Sequence, residues 1–402
     1  MKHKWKDFDF TLIITPLLLS AFGIVMIYSA SMVLAVVENN PANYYMWKQL
    51  IWFMIGFVIF ILACAFPYRY YQKFVKIMVI GILGLLAGVF VFGIEVNYSK
   101  SWYDFGPLSF QPAELAKIVL IIYLASIYSK KQNYIADFSK AVLPPLVMTG
   151  IILGLITLQP DIGTAAIIFL IACSVIFSSG IRFKHLFILI AIGVSFVVIA
   201  IPNMVTDERI ARFSGAYEPF EDPKDDGYHL IQSYVAIGTG GILGEGLGQG
   251  VQKLGYLQEP HTDFIMAVIA EELGFVGVMI VIGMLAIIVL RGIYISRRCD
   301  DSFGALLSIG IASMIGIQTT INLGAISGLL PITGVPLPFV SYGGSSLVIM
   351  LFSMGVLNNI AYSVRSKEGS INTDTKPLKE KIQHIRAIQN LKEDNHGNIK
   401  DN

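Results

Sequence analysis

Long apolar runs recur along this chain, and few folds accommodate them. Phe10–Leu34, Leu50–Phe66, Met78–Gly93, Ile118–Ile127, Leu186–Ile201 and Phe275–Leu290 are the plainest. A helix needs about 20 apolar residues to cross the hydrocarbon. Ten such spans fit, over residues 11–34, 49–66, 74–94, 112–129, 142–158, 162–179, 184–201, 263–290, 303–325 and 343–362. Of 402 residues, 55% are hydrophobic and 14% charged, and the mean hydropathy is +0.67, as a membrane chain requires. The expected fold is an all-α integral membrane protein of about ten transmembrane helices within residues 1–365. A large extracytoplasmic loop, about 202–262, separates spans seven and eight.

The basic residues orient these spans. Lys2, Lys4 and Lys6 precede span one, and Arg69, Lys73 and Lys76 lie between two and three. Lys130, Lys131 and Lys140 follow span four, and Arg182 and Lys184 follow span six. Arg291, Arg297 and Arg298 follow span eight, and Arg365 and Lys367 follow span ten. Every second loop is therefore basic, which puts both termini in the cytoplasm and the 202–262 loop outside. The first apolar run is too long for a cleaved signal peptide and reads as a signal-anchor. Cys64, Cys173 and Cys299 show neither disulfide nor metal spacing. Residues 366–402 form a polar tail expected to be mostly disordered, although Leu378, Ile382, Ile385 and Leu391 would share one face of a short helix. The net charge of +1 says nothing about partners, because the charge is sorted by side.

Carboxylates in such a chain need a reason, since intramembrane charge is costly. The stretch “QEPHTDFIMAVIAEELG” has Asp263 where span eight begins, with Glu271 and Glu272 deeper. Thr262-Asp263 reads equally as a helix cap and as a reactive carboxylate in its setting. One of the two glutamates is expected to meet a cation from another helix or to be protonated. In “SFQPAELAK”, Glu114 and Lys117 share a helix face, either as a structural ion pair or as a ligand site. Trp102, just upstream, is an interfacial anchor or a platform for a sugar. “QPDIGTA” places Gln159 and Asp161 at the outer start of span six, where Asp161 is a cap or a site residue.

“LPITGVPLPFVSYGGSS” packs three prolines, three glycines and four Ser/Thr hydroxyls around the start of span ten. Irregular backbone of this kind is tolerated where it lines an enclosed or wet cavity. “GTGGILGEGLGQG” lacks the strand–turn–helix context of a dinucleotide fingerprint. It is a turn-rich loop or a backbone cradle for phosphate. Asp161, His261, Thr262 and Asp263 map to the outer face, with the hydroxyls of Thr333, Ser341 and Ser345, and convergent polar groups mark a binding site. No ATP is available there, so a bond-forming reaction needs a substrate that arrives activated. A lipid-linked amphipathic donor fits.

“QPAELAK”, “QPDIGTA”, “GYLQEPHTDFIMAVIAEELG” and “PITGVPLPFVSYGGSS”, in that order, resemble the signature segments of the SEDS family of FtsW and RodA proteins over about residues 9–365. “QKLGYL” and “GEGLGQG” are more similar to the FtsW branch, the cell-division side of the family, in Gram-positive bacteria. The resemblance implies a peptidoglycan glycosyltransferase acting on lipid II and releasing undecaprenyl pyrophosphate. It implies that Asp263 is the catalytic general base. Glu114, Lys117, Asp161, Gln159, Trp102, His261, Thr262, Thr333, Ser341 and Ser345 become substrate-binding candidates. Lys117, Arg209 and Arg212 are candidate cations for the pyrophosphate, because positive charge stabilises such a leaving group. The implied partners are a class B penicillin-binding protein transpeptidase and other divisome membrane proteins, with no nucleic acid. The resemblance fixes no cofactor, and a divalent cation such as Mg or Mn is left open. Two other classes stay open: a lipid II flippase or other transporter, with Glu114 and Lys117 on its path, and a division scaffold.

Overall fold

The computed structural model describes residues 8–96, 99–104, 106, 109–132, 137–181, 187, 191, 215–224 and 227–367. In chain order the helices are α1 (Phe10–Val37), α2 (Tyr44–Ala65), α3 (Arg69–Phe92), α4 (Pro112–Lys130), α5 (Leu143–Leu158) and α6 (Ile162–Ser178). They continue with α7 (Tyr228–Gly240), α8 (Ile265–Arg298), α9 (Ser302–Ile326) and α10 (Gly344–Lys367). A π-helical turn, Phe138–Val142, leads into α5. Eight of these segments are long and apolar enough to cross a membrane, so the chain is a multi-pass membrane protein. At 17 residues, α6 is shorter: it rises about 26 Å against a hydrocarbon core of about 30 Å. Of the expected span at 184–201 only residues 187 and 191 are among the described ones, and Arg182, Lys184, Arg209, Arg212 and the tail beyond residue 367 lie outside them.

Burial sorts the bundle into a centre and a periphery. In α4 and α10, 78% of the apolar window is buried, against 28% in α2 and α3. The central helices are thus wrapped by protein, and the outer ones present Ile77, Ile80, Val91 and Phe92 to the surroundings. That arrangement explains how α4 can carry charge in an apolar run. Polar positions in α10 act as pins. Asn358 Oδ1 accepts from Asp9 N at 3.0 Å. Asn359 accepts from Tyr68 N at 2.9 Å and donates to the Cys64 carbonyl at 2.7 Å, fixing the α2–α3 turn.

Two elements go beyond the sequence reading. A three-stranded antiparallel sheet, β1 (Ile94–Val96), β2 (Ser99–Asp104) and β3 (Ser109–Phe110), joins α3 to α4. It rests on the end of α3: Tyr103 Oη donates to the Leu85 carbonyl at 2.9 Å, and Lys100 Nζ to that of Phe90 at 2.9 Å. Strands this short leave no periodicity to read. The second is α7, a helix inside the segment expected to be loop.

Candidate active site

The proline-rich segment before α10 forms the hub of the site. Pro331, Pro336 and Pro338 offer no N–H, and residues 331–337 adopt no regular structure. Their backbone is held by side chains from other helices. Asn322 of α9 donates to the Val335 carbonyl at 2.8 Å and to the Asp263 carbonyl at 2.9 Å. Gln318, one turn earlier, donates to the Pro336 carbonyl at 3.4 Å and accepts from Lys117 Nζ at 3.1 Å. A Cβ on Gly163 would lie 2.6 Å from the Thr333 carbonyl oxygen, so α6 starts directly against the same segment. Gly334 has φ +67°, and a Cβ there would lie 3.9 Å from Asp263 Oδ2. The four sequence motifs therefore meet around residues 331–337.

Asp263 is not the cap of α8. The helix begins at Ile265, and its N-cap position is Phe264, one residue later. Thr262 does not cap it either: its hydroxyl donates to the Glu259 carbonyl at 3.1 Å and to Glu259 Oε2 at 2.8 Å. These bonds close a turn in which Glu259 takes a positive φ of 48°. Span eight starts two residues later than the apolar pattern suggested. Asp263 is partly exposed, with its backbone anchored and its carboxylate beside Gly334. His261 is buried against the rings of Tyr45 and Tyr342. Burial pushes its imidazole down to about 4, which keeps it neutral at physiological pH.

Glu114 and Lys117 form a buried pair at 2.7 Å within α4. A buried pair survives only when its remaining donors and acceptors find partners, and Gln318 supplies one. Glu114 Oε2, Thr333 Oγ1 and Asn322 Oδ1 are buried without a hydrogen-bond partner among the described residues. All three belong to residues at this hub, and buried polar atoms normally bind protein, water or ligand. Asp161 caps α6 by accepting from Thr164 N at 3.1 Å, and it also accepts from Gln111 Nε2 at 2.9 Å. It joins the α4 and α6 motifs while serving as a cap.

Other candidates play smaller parts. Gln159 turns away, donating to the Leu86 carbonyl at 2.9 Å. Trp102 sits on β2, paired in register with Ile94. Ser341 Oγ accepts from Leu337 N at 2.8 Å and shapes the turn. Ser345 is buried near the start of α10. Sequence reasoning missed Gln318 and Asn322. Amides inside the apolar run “GIQTTINLG” were the available signal, because buried polar groups demand partners.

The glycine-rich segment serves a break in α8. α8 breaks at Gly274, which takes φ 66°, ψ −165°. A Cβ there would collide with Ile242 O and Gly244 N. The break leaves helix-terminal groups without intrahelical partners, and the segment replaces them. Glu245 N and Gly246 N donate to the carbonyls of Glu271 and Glu272, both at 3.0 Å. Phe275 N and Val276 N donate to those of Gly241 and Ile242, at 2.9 and 3.2 Å. The Glu271 carboxylate accepts from Val251 N at 2.7 Å and Gln252 N at 3.1 Å. Glu272 accepts from Gly248 N at 2.9 Å, Ser29 Oγ at 2.7 Å and Lys253 Nζ at 2.5 Å. The cation thus comes from the loop itself rather than from another helix.

Residues 9–366 match the cell cycle protein family of FtsW, RodA and SpoVE. The chain belongs to this family. Within it, the chain is 48% identical over 379 residues to the probable peptidoglycan glycosyltransferase FtsW of Bacillus subtilis, covering 92% of this chain and 94% of that one. Stage V sporulation protein E of the same organism is 38% identical over 355 residues, 88% and 96% of the two chains. A chain of a solved peptidoglycan synthase complex, described as coordinating polymerization and crosslinking, has a TM-score of 0.73 at 29% identity, over 90% of this chain and 99% of that one. The rod shape determining protein RodA of Thermus thermophilus has a TM-score of 0.65 at 27% identity, over 89% and 97%. The expected placement in the FtsW/RodA family, on its Gram-positive FtsW side, is borne out.

Proposed function

We infer that the protein is a peptidoglycan glycosyltransferase that polymerises lipid II into glycan strands at the division septum. The observation that carries this reading is family membership over nearly the whole chain, at 48% identity to a division glycosyltransferase. The geometry supports it: four motifs from separate segments meet beside one partly exposed carboxylate. Asp263 is the general base. As the 4-hydroxyl oxygen of the acceptor GlcNAc attacks C1 of the donor MurNAc, its proton passes to the Asp263 carboxylate. The C1–oxygen bond to pyrophosphate breaks, and undecaprenyl pyrophosphate leaves with the bonding pair. Lys117 presents positive charge toward the hub, oriented by Glu114 and Gln318. Glu114 Oε2, Thr333 Oγ1 and Asn322 Oδ1 are the groups placed to meet polar atoms of the substrate. Among the described residues no group of three His, Cys, Asp or Glu side chains comes together.

Purified protein given lipid II, together with a class B penicillin-binding protein transpeptidase as partner, should yield glycan strands and free undecaprenyl pyrophosphate. Absence of polymer with the partner present would overturn the assignment; movement of lipid II across vesicles without polymer would favour a transporter. The partner choice rests on the likeness to a complex described as coordinating polymerization with crosslinking.

Ten spans, cytoplasmic termini and an outward-facing Asp263 are the topology we propose, on the alternation of Lys and Arg between loops. A cysteine engineered at Glu221, an exposed position, should react with an impermeant maleimide added outside intact cells. Labelling from the cytoplasmic side alone would reverse the orientation.

A further inference from the structure

Two consecutive turns of α9 reach the hub, each through one buried amide. Gln318 and Asn322 are four residues apart, hence on one helix face. Gln318 is wholly buried and Asn322 nearly so. The Gln318 amide joins Lys117 Nζ, at 3.1 Å, to the Pro336 carbonyl, at 3.4 Å. Asn322 Nδ2 joins the Asp263 carbonyl, at 2.9 Å, to the Val335 carbonyl, at 2.8 Å. Lys117, the candidate cation for the pyrophosphate, and Asp263, the base, are thus tied by one helix to adjacent carbonyls of one segment.

Among uncharged side chains, only Asn and Gln donate two hydrogens from one nitrogen. A hydroxyl donates one, and an apolar side chain of the same shape donates none. The segment needs ties of this kind, because Pro331, Pro336 and Pro338 have no N–H to give. The turn that carries Asp263 is held from the same direction. The His261 carbonyl accepts from Tyr342 N at 2.8 Å. The carbonyls on either side of Thr262 are therefore clamped to the 335–342 region, one by Tyr342 and one by Asn322. The backbone so held aims the Asp263 side chain. We propose that Asn322 is a positioning residue for the base, its two donated hydrogens setting Asp263 in one frame with Lys117. This rests on the glycosyltransferase reading and on Asp263 as its base. Misplacing a reacting group by about 1 Å costs on the order of 10²-fold in rate.

Two variants of similar shape separate this role from others. Asn322→Leu removes the amide altogether. Asn322→Asp keeps an oxygen in place of Oδ1, the amide atom with no hydrogen-bond partner among the described residues, and replaces both donated hydrogens with an acceptor. Full-length protein with its transpeptidase partner is assayed for lipid II polymerisation, and thermal unfolding and lipid II binding are measured on the same samples. Both variants should lose kcat by about 10²-fold, counted per folded protein. KM and lipid II binding should change by less than about tenfold, the limit set by one neutral hydrogen bond. Ser313→Ala, which removes a hydrogen bond between α9 and α6, should keep the parent's kcat. A kcat near the parent's in both Asn322 variants overturns the proposal. So does a loss confined to Asn322→Leu and carried by KM, which would make Asn322 a substrate contact through Oδ1. An equal loss in Ser313→Ala would also overturn it, by making Asn322 one more bond that holds α9. A parent protein that forms no polymer ends the glycosyltransferase reading instead, and this inference with it.

Discussion

Asp263→Asn should lose lipid II polymerisation by about 10²–10⁴-fold, the usual cost of removing a general base, while melting like the parent protein. Asparagine keeps the size of the side chain and leaves the backbone bond from Asn322 in place. It caps helices about as well as aspartate, so a purely structural role would tolerate the change. The structure sharpens this contrast, because Phe264 rather than Asp263 holds the N-cap position of α8. The measurement pairs turnover of purified protein, with its transpeptidase partner, against thermal unfolding of the same sample. Turnover within a few-fold of the parent would sink the assignment. The search for the base would then move to Glu114, whose Oε2 is buried at the same hub.

What the sequence made legible is what the bilayer imposes. Apolar length sets the spans, and the alternation of basic loops suggests their direction. Eight of the expected spans correspond to long apolar helices and a ninth to the shorter α6. The convergence of motifs was readable too, because polar groups near apolar helices must meet partners. What was not legible depends on contacts between distant segments. The break at Gly274 lies between Glu271-Glu272 and the apolar run from Phe275, inside a segment whose helical pattern continues on both sides. Its cause is 28–33 residues upstream, where the backbone of 241–246 completes the ladder of α8. The same reason kept the role of the glycine-rich segment out of reach of the sequence. Gly248 N of that segment, and Val251 N and Gln252 N just after it, do receive carboxylates, but those are the protein's own Glu272 and Glu271. Thr262-Asp263 was ambiguous because a cap and a site residue use the same side chains, and a shift of two residues in the helix start removes the cap.

The broken helix leads to the second large effect, at Lys253. Its ammonium is buried with Glu272, with side-chain exposures of 1% and 0%, and Ser29 Oγ accepts a further hydrogen bond at 2.8 Å. Lys253→Met should fill similar volume but leave the Glu272 carboxylate without its cation. Removing one member of a buried pair costs roughly 3–5 kcal/mol, whereas neutral replacement of both is often tolerated. Adding Glu272→Gln should therefore recover much of the loss. A glutamine oxygen still accepts from Ser29 and from Gly248 N, the bonds that tie α1 and the glycine-rich segment to the break. Thermal unfolding of both single variants and the double variant gives the coupling directly. The order expected is Lys253→Met least stable, the double variant higher, the parent highest. The recovered double variant should also regain polymerisation, because the part of α8 before the break continues directly from the turn that presents Asp263. A Lys253→Met protein that melts with the parent would mean the pair contributes nothing to holding the break. Gly274 and the backbone bonds around it would then suffice.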